Sequence, residues 1–310
     1  MATKLPPFYH LTQEVSNALS KGLPVVALES TVITHGLPFP DNIQLANDMQ
    51  QELWKLGVVP AMVAVLEGRI MVGMQADWLE GLAKADQVYK LSSRDLARAV
   101  VKKQSGGTTV AGTMTVAHQV GIQVFATGGI GGVHRGGGGD VSADLMQLAE
   151  TPMVVVCAGA KAILDLAATL EYLETHNVLV VGYQTNDFPA FYSRRSGHLL
   201  NSRADSVEEV AEIARVHWKM GLRSAILVTV PIPDEVSLEE SKVENAIQAA
   251  VKEASQKGLH GQEVTPYLLE RVRQLTGGES LKANLGLLLN NTRVAGEIAR
   301  FFAHSQMHIV

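Results

Sequence analysis

Short apolar runs alternate with helix-like stretches along most of the chain. The clearest runs are rich in valine and alanine and lie at residues 25–30, 153–157, 178–183 and 224–230. Nearly uninterrupted apolar runs are typical of parallel strands that are covered on both faces. Because strands that alternate with helices form layered α/β folds, the pattern predicts a largely parallel sheet between helices.

Helices are predicted where polar cap residues precede periodic stretches. They cover residues 42–56 behind an Asp41 cap, 93–104, 108–119, 160–176 and 278–302. Ser206 and Ser237 are each followed by glutamates in the capping-box pattern, which predicts two further helix starts. Pro266 favours one more, because proline suits the first helical position. A hairpin closed at Glu67-Gly68 is also expected.

The composition is consistent with one large folded unit. The chain has 310 residues, of which 46% are hydrophobic and 18% charged, so a substantial core can form. No internal repeat, low-complexity tract or long linker interrupts it. We therefore predict the α/β class, as a single three-layer α/β/α domain over residues 1–310, around a mixed, largely parallel sheet.

Charge and cysteine content exclude several classes of protein. The net charge is −5 and no dense stripe of Lys and Arg occurs, which argues against nucleic acid as a partner. No apolar run reaches the roughly 18 residues of a membrane span, and residues 1–11 lack the apolar core of a secretory signal. The single cysteine, Cys157, excludes a disulfide framework and a cysteine zinc site. A cytoplasmic protein without a membrane partner is therefore expected.

Lys161 is the first candidate for chemistry. The apolar run ends near Gly159 and a helix is expected from about Ala160, so Lys161 would lie at a strand-to-helix junction. Apolar surroundings and the positive end of a helix dipole both disfavour the ammonium form. A neutral amine attacks carbonyl or glycosyl carbons. The alternative is a structural lysine whose side chain extends to solvent.

Glu29 is the second candidate, at the end of the predicted strand over residues 25–30. A buried carboxylate is costly unless it is paired or protonated, and a raised pKa would make Glu29 a general acid near neutral pH. A carboxylate bonded to a neighbouring helix start is the alternative. Since α/β sheets bind ligands beyond the carboxyl ends of their strands, Glu29 and Lys161 are expected in one crevice.

A glycine-rich stretch follows another predicted strand, with eight glycines in residues 128–139. Such backbone can approach a ligand closely. It matches neither the P-loop nor the dinucleotide-binding pattern. The following Asp140, Ser142 and Asp144 offer oxygen ligands that suit Mg²⁺ or Mn²⁺, although a helix cap explains the same residues.

Two further segments have alternative interpretations. Thr108 and Thr109 precede a predicted helix. Backbone amides at this point could bind phosphate, or the threonines could cap the helix. Residues 188–196 contain Arg194 and Arg195 and are interpreted as a solvated loop, with a substrate lid as the alternative.

Long ordered motifs then connect these candidates. They lie at residues 27–31, 34–38, 90–96, 107–111, 125–135, 140–145 and 156–161, with Asn284 and Asn290-Asn291 near the end. In these motifs the chain closely resembles the pseudouridine-5′-phosphate glycosidase family, which is also called indigoidine-synthase-A-like. The resemblance spans nearly the whole chain.

The resemblance implies cleavage of the C–C glycosidic bond of pseudouridine 5′-phosphate, a small phosphorylated nucleoside, to uracil and ribose 5-phosphate. It makes Lys161 the nucleophile, which forms an iminium at C1′, and Glu29 the proton donor. It implies that Asp140 is a ligand of one Mn²⁺ ion per subunit, with Mg²⁺ as the alternative, and that the protein is a homotrimer. The implied substrate-binding residues are Lys90, Val110, Thr127, His134, Ser142, Ala143, Asp144 and Asn284.

This chemistry fits a carbon-linked base. Such a base offers no glycosidic oxygen or nitrogen to protonate, so two carboxylates alone would have little effect on the leaving group. An amine that forms an iminium supplies an electron sink. A Schiff-base lyase or aldolase acting on another phosphorylated sugar is the second hypothesis, and a non-catalytic binding protein is the third.

The chain departs from the family pattern at residues 136–139. All four are glycines, where the family has a slightly longer segment with polar and aromatic side chains. We therefore expect the contacts of this loop, including those with a neighbouring subunit, to differ from the family's.

Overall fold

The computed structural model describes residues 5–85, 87–135, 139–259 and 264–306, with side chains to residue 303. Its strands are β1 (Tyr9–Leu11), β2 (Val25–Leu28), β3 (Val59–Leu66), β4 (Arg69–Val72), β5 (Tyr89–Leu91), β6 (Gly106–Thr108), β7 (Val124–Ala126), β8 (Val133–His134), β9 (Val154–Cys157), β10 (Leu164–Asp165), β11 (Leu179–Tyr183), β12 (Arg203–Ala204) and β13 (Ile226–Thr229).

Helices separate most of these strands. They are α1 (Gln13–Ser20), α2 (Asp41–Lys55), α3 (Ala76–Lys84), α4 (Leu96–Val101), α5 (Val110–Gln119), α6 (Ala143–Glu150), α7 (Leu166–Thr175), α8 (Val207–Lys219), α9 (Glu240–Gln256), α10 (Val264–Leu275) and α11 (Glu279–Gln306). Short helical turns lie at Val32–Gly36, Ser93–Asp95 and Asp234–Val236. None of the helices in the described ranges is long and apolar enough to cross a membrane.

The main sheet is mixed and largely parallel. Its strand order is β1-β4-β3-β2-β7-β9-β13-β11-β12, and every neighbouring pair from β3 to β12 is parallel. β3 and β4 pair antiparallel on either side of Glu67-Gly68, which confirms the predicted hairpin. β6 also pairs antiparallel with β3. The α/β class with a mixed, largely parallel sheet is therefore confirmed.

The strands β2, β9 and β13 are buried along their whole length, as the apolar runs predict, and so is β7. The run at residues 178–183 forms β11, which is only partly buried, so the prediction of full cover was wrong there. The long helix α11 contacts β2, β7 and β9 and packs against α2 and α8. The helix α5 contacts β2, β3 and α6. Flanking helices thus cover the strands whose carboxyl ends carry the candidate residues.

The start of α7 differs from the prediction. The helix begins at Leu166 rather than near Ala160, and Asp165 caps it by accepting from the Ala168 amide at 3.0 Å. The preceding backbone instead pairs with Ile130: the Lys161 amide donates to the Ile130 carbonyl at 3.1 Å. Lys161 therefore lies in an irregular segment and not at the start of a helix whose dipole would disfavour its ammonium form.

A second, two-stranded sheet lies beside this segment. β8 and β10 pair antiparallel, which joins the glycine-rich stretch to the residues after Lys161. At Gly159 the backbone has φ +87°, and a Cβ there would collide with the Pro189 carbonyl oxygen. A glycine is required at this turn between β9 and Lys161.

Other helix boundaries also needed correction. Asp41 is the first residue of α2 rather than its cap, and Pro40 stands at the N-cap. Ser237 ends a helical turn, and α9 starts three residues later at Glu240. The cap at Ser206 is confirmed, because its side chain accepts from the Glu209 amide at 3.2 Å.

The predicted helices around residue 100 are likewise shorter. Residues 93–104 divide into the turn Ser93–Asp95 and α4. Thr108 belongs to β6, where it pairs with Leu91 of β5, and Thr109 caps α5.

Candidate active site

A cavity of about 320 Å³ opens beyond the carboxyl ends of β2, β7 and β9. Its walls include Glu29 after β2, Gly128 and Gly129 after β7, and Lys161 after β9. The structure thus brings together the three sequence features that follow predicted strands. Further candidates that line the same cavity are Lys90, Val110, His134, Asp140, Ser142, Ala143, Asp144 and Asn284.

Glu29 is buried, with 6% of its surface exposed. Burial raises the pKa of Glu29, and the positive charge of Lys161 and a hydrogen bond from the Thr127 hydroxyl only partly oppose the shift. The nearby charge of Asp144 raises the pKa of Glu29 further. This environment favours the protonated acid that proton donation requires.

Two lysines share the cavity with these carboxylates. Lys90 lies on β5, and burial followed by the charge of Lys161 lowers the pKa of Lys90. Asp144 and Glu29 act in the opposite direction. Two cations and two carboxyl groups therefore influence each other within one cavity, and Lys161 acts on both Glu29 and Lys90.

Asp144 has a different environment. Its Oδ1 accepts from the Ala111 amide at 2.9 Å, and its Oδ2 accepts from the Gly131 amide at 2.8 Å. Ser142 caps α6 by accepting from the Asp144 amide at 3.3 Å. The helix-cap interpretation is therefore confirmed for Ser142. The Asp144 carboxylate fastens the start of α5 to the glycine-rich stretch.

Thr127 lies behind the cavity wall, a correction to its predicted place in the lining. Its hydroxyl donates to Glu29, and its carbonyl accepts from Asn291 Nδ2 at 2.9 Å. Its side chain therefore orients Glu29. Thr108 is also turned away, because its hydroxyl lies 2.8 Å from both the Val63 carbonyl and the Thr113 hydroxyl.

Several cavity residues were not predicted from the sequence. Thr31 contributes a buried hydroxyl oxygen without a hydrogen-bond partner in the described part of the chain. His35 lines the wall near Lys90, and burial, followed by the charge of Lys90, lowers the pKa of His35. Both follow Glu29 closely, and that proximity was the available signal.

The segment at residues 188–196 is buried over its first part, so its interpretation as a solvated loop was wrong for residues 188–193, whereas Arg195 is exposed. Phe188, Phe191 and Tyr192 are each at most 2% exposed, and Phe191 reaches the cavity with φ +64°. Three aromatic residues within five positions were the signal for burial. Asn284 on α11 is also buried, and its side-chain amide has no hydrogen bond within the described ranges.

Asp140 and His134 form the edge where a cation was expected. Asp140 is exposed over about half of its side chain, and its Oδ2 lies 3.9 Å from His134 Nδ1. Within the ranges that the structure describes, no three His, Cys, Asp or Glu residues form a metal-binding group. The edge fits an ion held by one carboxylate and several waters, as Mg²⁺-type ions are, and not a cage of protein ligands.

The fold and the site together define an α/β protein with a buried acid and an amine in one cavity at the strand ends. The model of the indigoidine synthase A like protein family matches residues 14–301, and the chain belongs to this family.

Its relatives include the pseudouridine-5′-phosphate glycosidases of Geobacillus kaustophilus and Caldanaerobacter subterraneus. The first is 49% identical over 94% of this chain and 98% of the relative. The second is 47% identical over 94% and 96%, respectively.

Two solved structures share the fold. A prealnumycin C-glycosynthase in complex with ribulose 5-phosphate is 37% identical, with a TM-score of 0.90 over 98% of this chain and 100% of that one. An indigoidine synthase A-like protein from Thermotoga maritima is also 37% identical, with a TM-score of 0.87 over 94% and 95%, respectively.

Proposed function

We propose that this protein is an enzyme that cleaves the C–C glycosidic bond of pseudouridine 5′-phosphate to uracil and ribose 5-phosphate. The observation that carries the proposal is the pairing of Glu29, whose pKa is raised by burial, with Lys161 in one cavity. The relatives at 47–49% identity have this activity in their names. The two groups supply the acid and the amine that the reaction needs.

In the proposed mechanism, Glu29 donates its proton to the ring oxygen of the ribose as the C1′–O4′ bond breaks. The Lys161 amine forms a bond to C1′ and loses a proton. The C1′–C5 bond to uracil then breaks: its electron pair stays on C5, which takes up a proton, while the nitrogen lone pair forms the iminium. Water adds at C1′, and ribose 5-phosphate leaves the lysine. The reverse sequence forms the C–C bond.

Other cavity residues would bind the substrate. Lys90 and the backbone amide of Val110, the first residue of α5, would meet the phosphate, since a helix N-terminus and a cation both favour an anion. The unpartnered amide of Asn284 and the imidazole of His134 would bond to polar groups of the sugar or base. Ser142 and Ala143 would contact the substrate from the start of α6.

Asp140 would hold one Mn²⁺ or Mg²⁺ ion, which supplies positive charge to substrate oxygens when bound. Electron paramagnetic resonance of added Mn²⁺ tests this assignment. Asp140→Asn is expected to weaken Mn²⁺ binding, whereas Asp165→Asn, at the α7 cap, is expected to leave it unchanged. Equal binding by both variants would contradict the assignment.

We also propose a cytoplasmic homotrimer, as the family resemblance implies. The free buried thiol of Cys157 is consistent with a reducing compartment. Light scattering coupled to size exclusion measures the subunit number directly, and a monomer or dimer would contradict the trimer.

Chemical trapping tests the nucleophile. The protein is incubated with pseudouridine 5′-phosphate and cyanoborohydride, and the modified peptide is identified by mass spectrometry. A reduced pentose-phosphate adduct on Lys161 is expected. Lys90→Met removes the other cavity lysine, and at saturating substrate it is expected to retain the adduct, although more substrate is needed because Lys90 would bind the phosphate. An adduct on Lys90, or uracil release without any adduct, would refute the mechanism.

A second candidate function is C–C bond formation. It is favoured by the structural similarity to a C-glycosynthase that binds ribulose 5-phosphate. Incubation with uracil and ribose 5-phosphate measures this direction, and incubation with pseudouridine 5′-phosphate measures cleavage. Turnover of an aldol substrate alone would instead favour a Schiff-base aldolase.

A further inference from the structure

Arg135 does not line the substrate cavity, yet its guanidinium contacts the segment that carries Lys161. Its Nε donates to the Leu164 carbonyl at 3.1 Å, and its Nη2 donates to the Ala162 carbonyl at 3.0 Å. Both carbonyls belong to the turn immediately after Lys161. The same side chain lines a neighbouring cavity of about 370 Å³ on the other side of Leu164.

The segment around Lys161 needs such external contacts because it is neither strand nor helix. On its N-terminal side, the Lys161 amide donates to the Ile130 carbonyl at 3.1 Å. On its C-terminal side, the Leu164 amide donates to the Lys161 carbonyl at 2.9 Å, which closes the turn. Arg135 donates to two further carbonyls of this turn, those of Ala162 and Leu164, and fixes their direction.

Glu244 on α9 holds the guanidinium in place. Its Oε1 accepts from Arg135 Nη1 at 2.6 Å and its Oε2 accepts from Nη2 at 3.0 Å. The hydrogen bond from Arg135 lowers the pKa of Glu244. A bidentate pair of this kind fixes the plane of the guanidinium, which a lysine ammonium cannot reproduce.

We propose that Arg135, oriented by Glu244, is a positioning residue that aims the Lys161 amine at C1′ of the substrate. The proposal rests on the proposed role of Lys161 as nucleophile. Arg135 links three elements: the end of β8, the turn after Lys161, and α9. Reactions of bound groups depend steeply on approach geometry, and a displacement of about 1 Å reduces rates by about 100-fold.

The test compares Arg135→Lys with a matched control, Arg271→Lys. Arg271 pairs with Glu253, also on α9, through Nε at 2.7 Å and Nη2 at 2.8 Å, and it makes no contact with the Lys161 turn. Glu244→Gln is a second variant, which retains the side-chain length and loses the charge. For each protein, kcat, KM, the rate of cyanoborohydride trapping on Lys161 and the melting temperature are measured.

Arg135→Lys is expected to lower kcat and the trapping rate by about 10- to 100-fold, because a lysine cannot donate to the Ala162 and Leu164 carbonyls with the same fixed geometry. Its KM is expected to change by less than about threefold, since substrate contacts are intact. Glu244→Gln is expected to have a smaller effect in the same direction, and Arg271→Lys is expected to retain wild-type kcat.

Wild-type trapping rates in both Arg135→Lys and Glu244→Gln would overturn the positioning role. A change confined to KM would also overturn it, and so would an equal loss of kcat in Arg271→Lys. Failure of the wild-type protein to form an adduct on Lys161 would instead refute the proposed nucleophile, so the two failures are distinguishable.

Discussion

Glu29 and Asp144 are two buried carboxyl groups that line the same cavity from different walls. Glu29 is 6% exposed at the end of β2, and Asp144 is 5% exposed in the first turn of α6. Both Asp144 oxygens accept backbone amides, at 2.9 and 2.8 Å. Glu29 accepts one hydroxyl hydrogen bond, from Thr127, and burial raises the pKa of Glu29.

The difference shows that burial alone does not define a general acid. The wall at α6 fixes its carboxylate with backbone donors that cannot move independently of the fold. The wall at β2 leaves its carboxyl group with one side-chain donor and two lysines near it. The burial that raises the pKa of Glu29 suits it to donate a proton, whereas Asp144 joins two backbone segments and stabilises the site.

The largest expected effect follows from removing the proton of Glu29. Glu29→Gln keeps the shape and the contact with Thr127 but cannot donate a proton, so kcat should fall by about 10²- to 10⁴-fold. Calorimetry of substrate binding should show little change. A matching loss of affinity would make Glu29 a binding residue instead.

The pH dependence of the same pair sharpens this prediction. Glu29 must be protonated to act, so kcat of the wild type should decrease as pH rises through the raised pKa of Glu29. The decrease should be absent from the residual activity of Glu29→Gln. A decrease of the same shape in the variant would assign it to another group.

Asp144→Asn tests the other wall and should mainly affect stability. An asparagine can accept from one of the amides of Ala111 and Gly131, while its own NH₂ group faces the second. One buried amide would then lack an acceptor, which destabilises a fold by about 1–3 kcal/mol. Chemical denaturation measures the loss. Unchanged stability with lost turnover would show that Asp144, like Glu29, acts in the reaction.

The convergence of Glu29 and Lys161 was predictable because both follow apolar runs, and parallel strands bring their carboxyl ends to one edge. The irregular backbone at Lys161 was not predictable. Alanine and leucine favour helix at residues 160–164, but pairing with Ile130 overrides that preference. The role of Thr127 depends on which way a residue after a short strand points, and sequence periodicity does not determine that direction over so few residues.

A smaller effect is expected of Glu29 on how the stability of the protein depends on pH. Because the pKa of Glu29 is raised in the folded protein, its contribution to stability is present below the unfolded pKa of about 4.3 and is lost as pH rises through the folded pKa. Glu29→Gln does not titrate. Its melting temperature relative to wild type should therefore increase between about pH 4 and pH 8. A constant difference would show that Glu29 does not titrate abnormally.

The smallest effect is expected from removing the Thr127 hydroxyl, the side-chain donor to Glu29. The Thr127 hydroxyl bond lowers the pKa of Glu29, so Thr127→Val, which is nearly isosteric, should raise that pKa further. The alkaline decrease in kcat should then move to higher pH. The plateau rate should change by less than about tenfold, because a neutral hydrogen bond contributes about 0.5–1.5 kcal/mol.

Thr115→Val removes a hydroxyl on α5 that bonds to Ala111 and Gln147, and serves as the control. A shift to lower pH in Thr127→Val, or the same shift in Thr115→Val, would show that Thr127 does not set the acidity of Glu29.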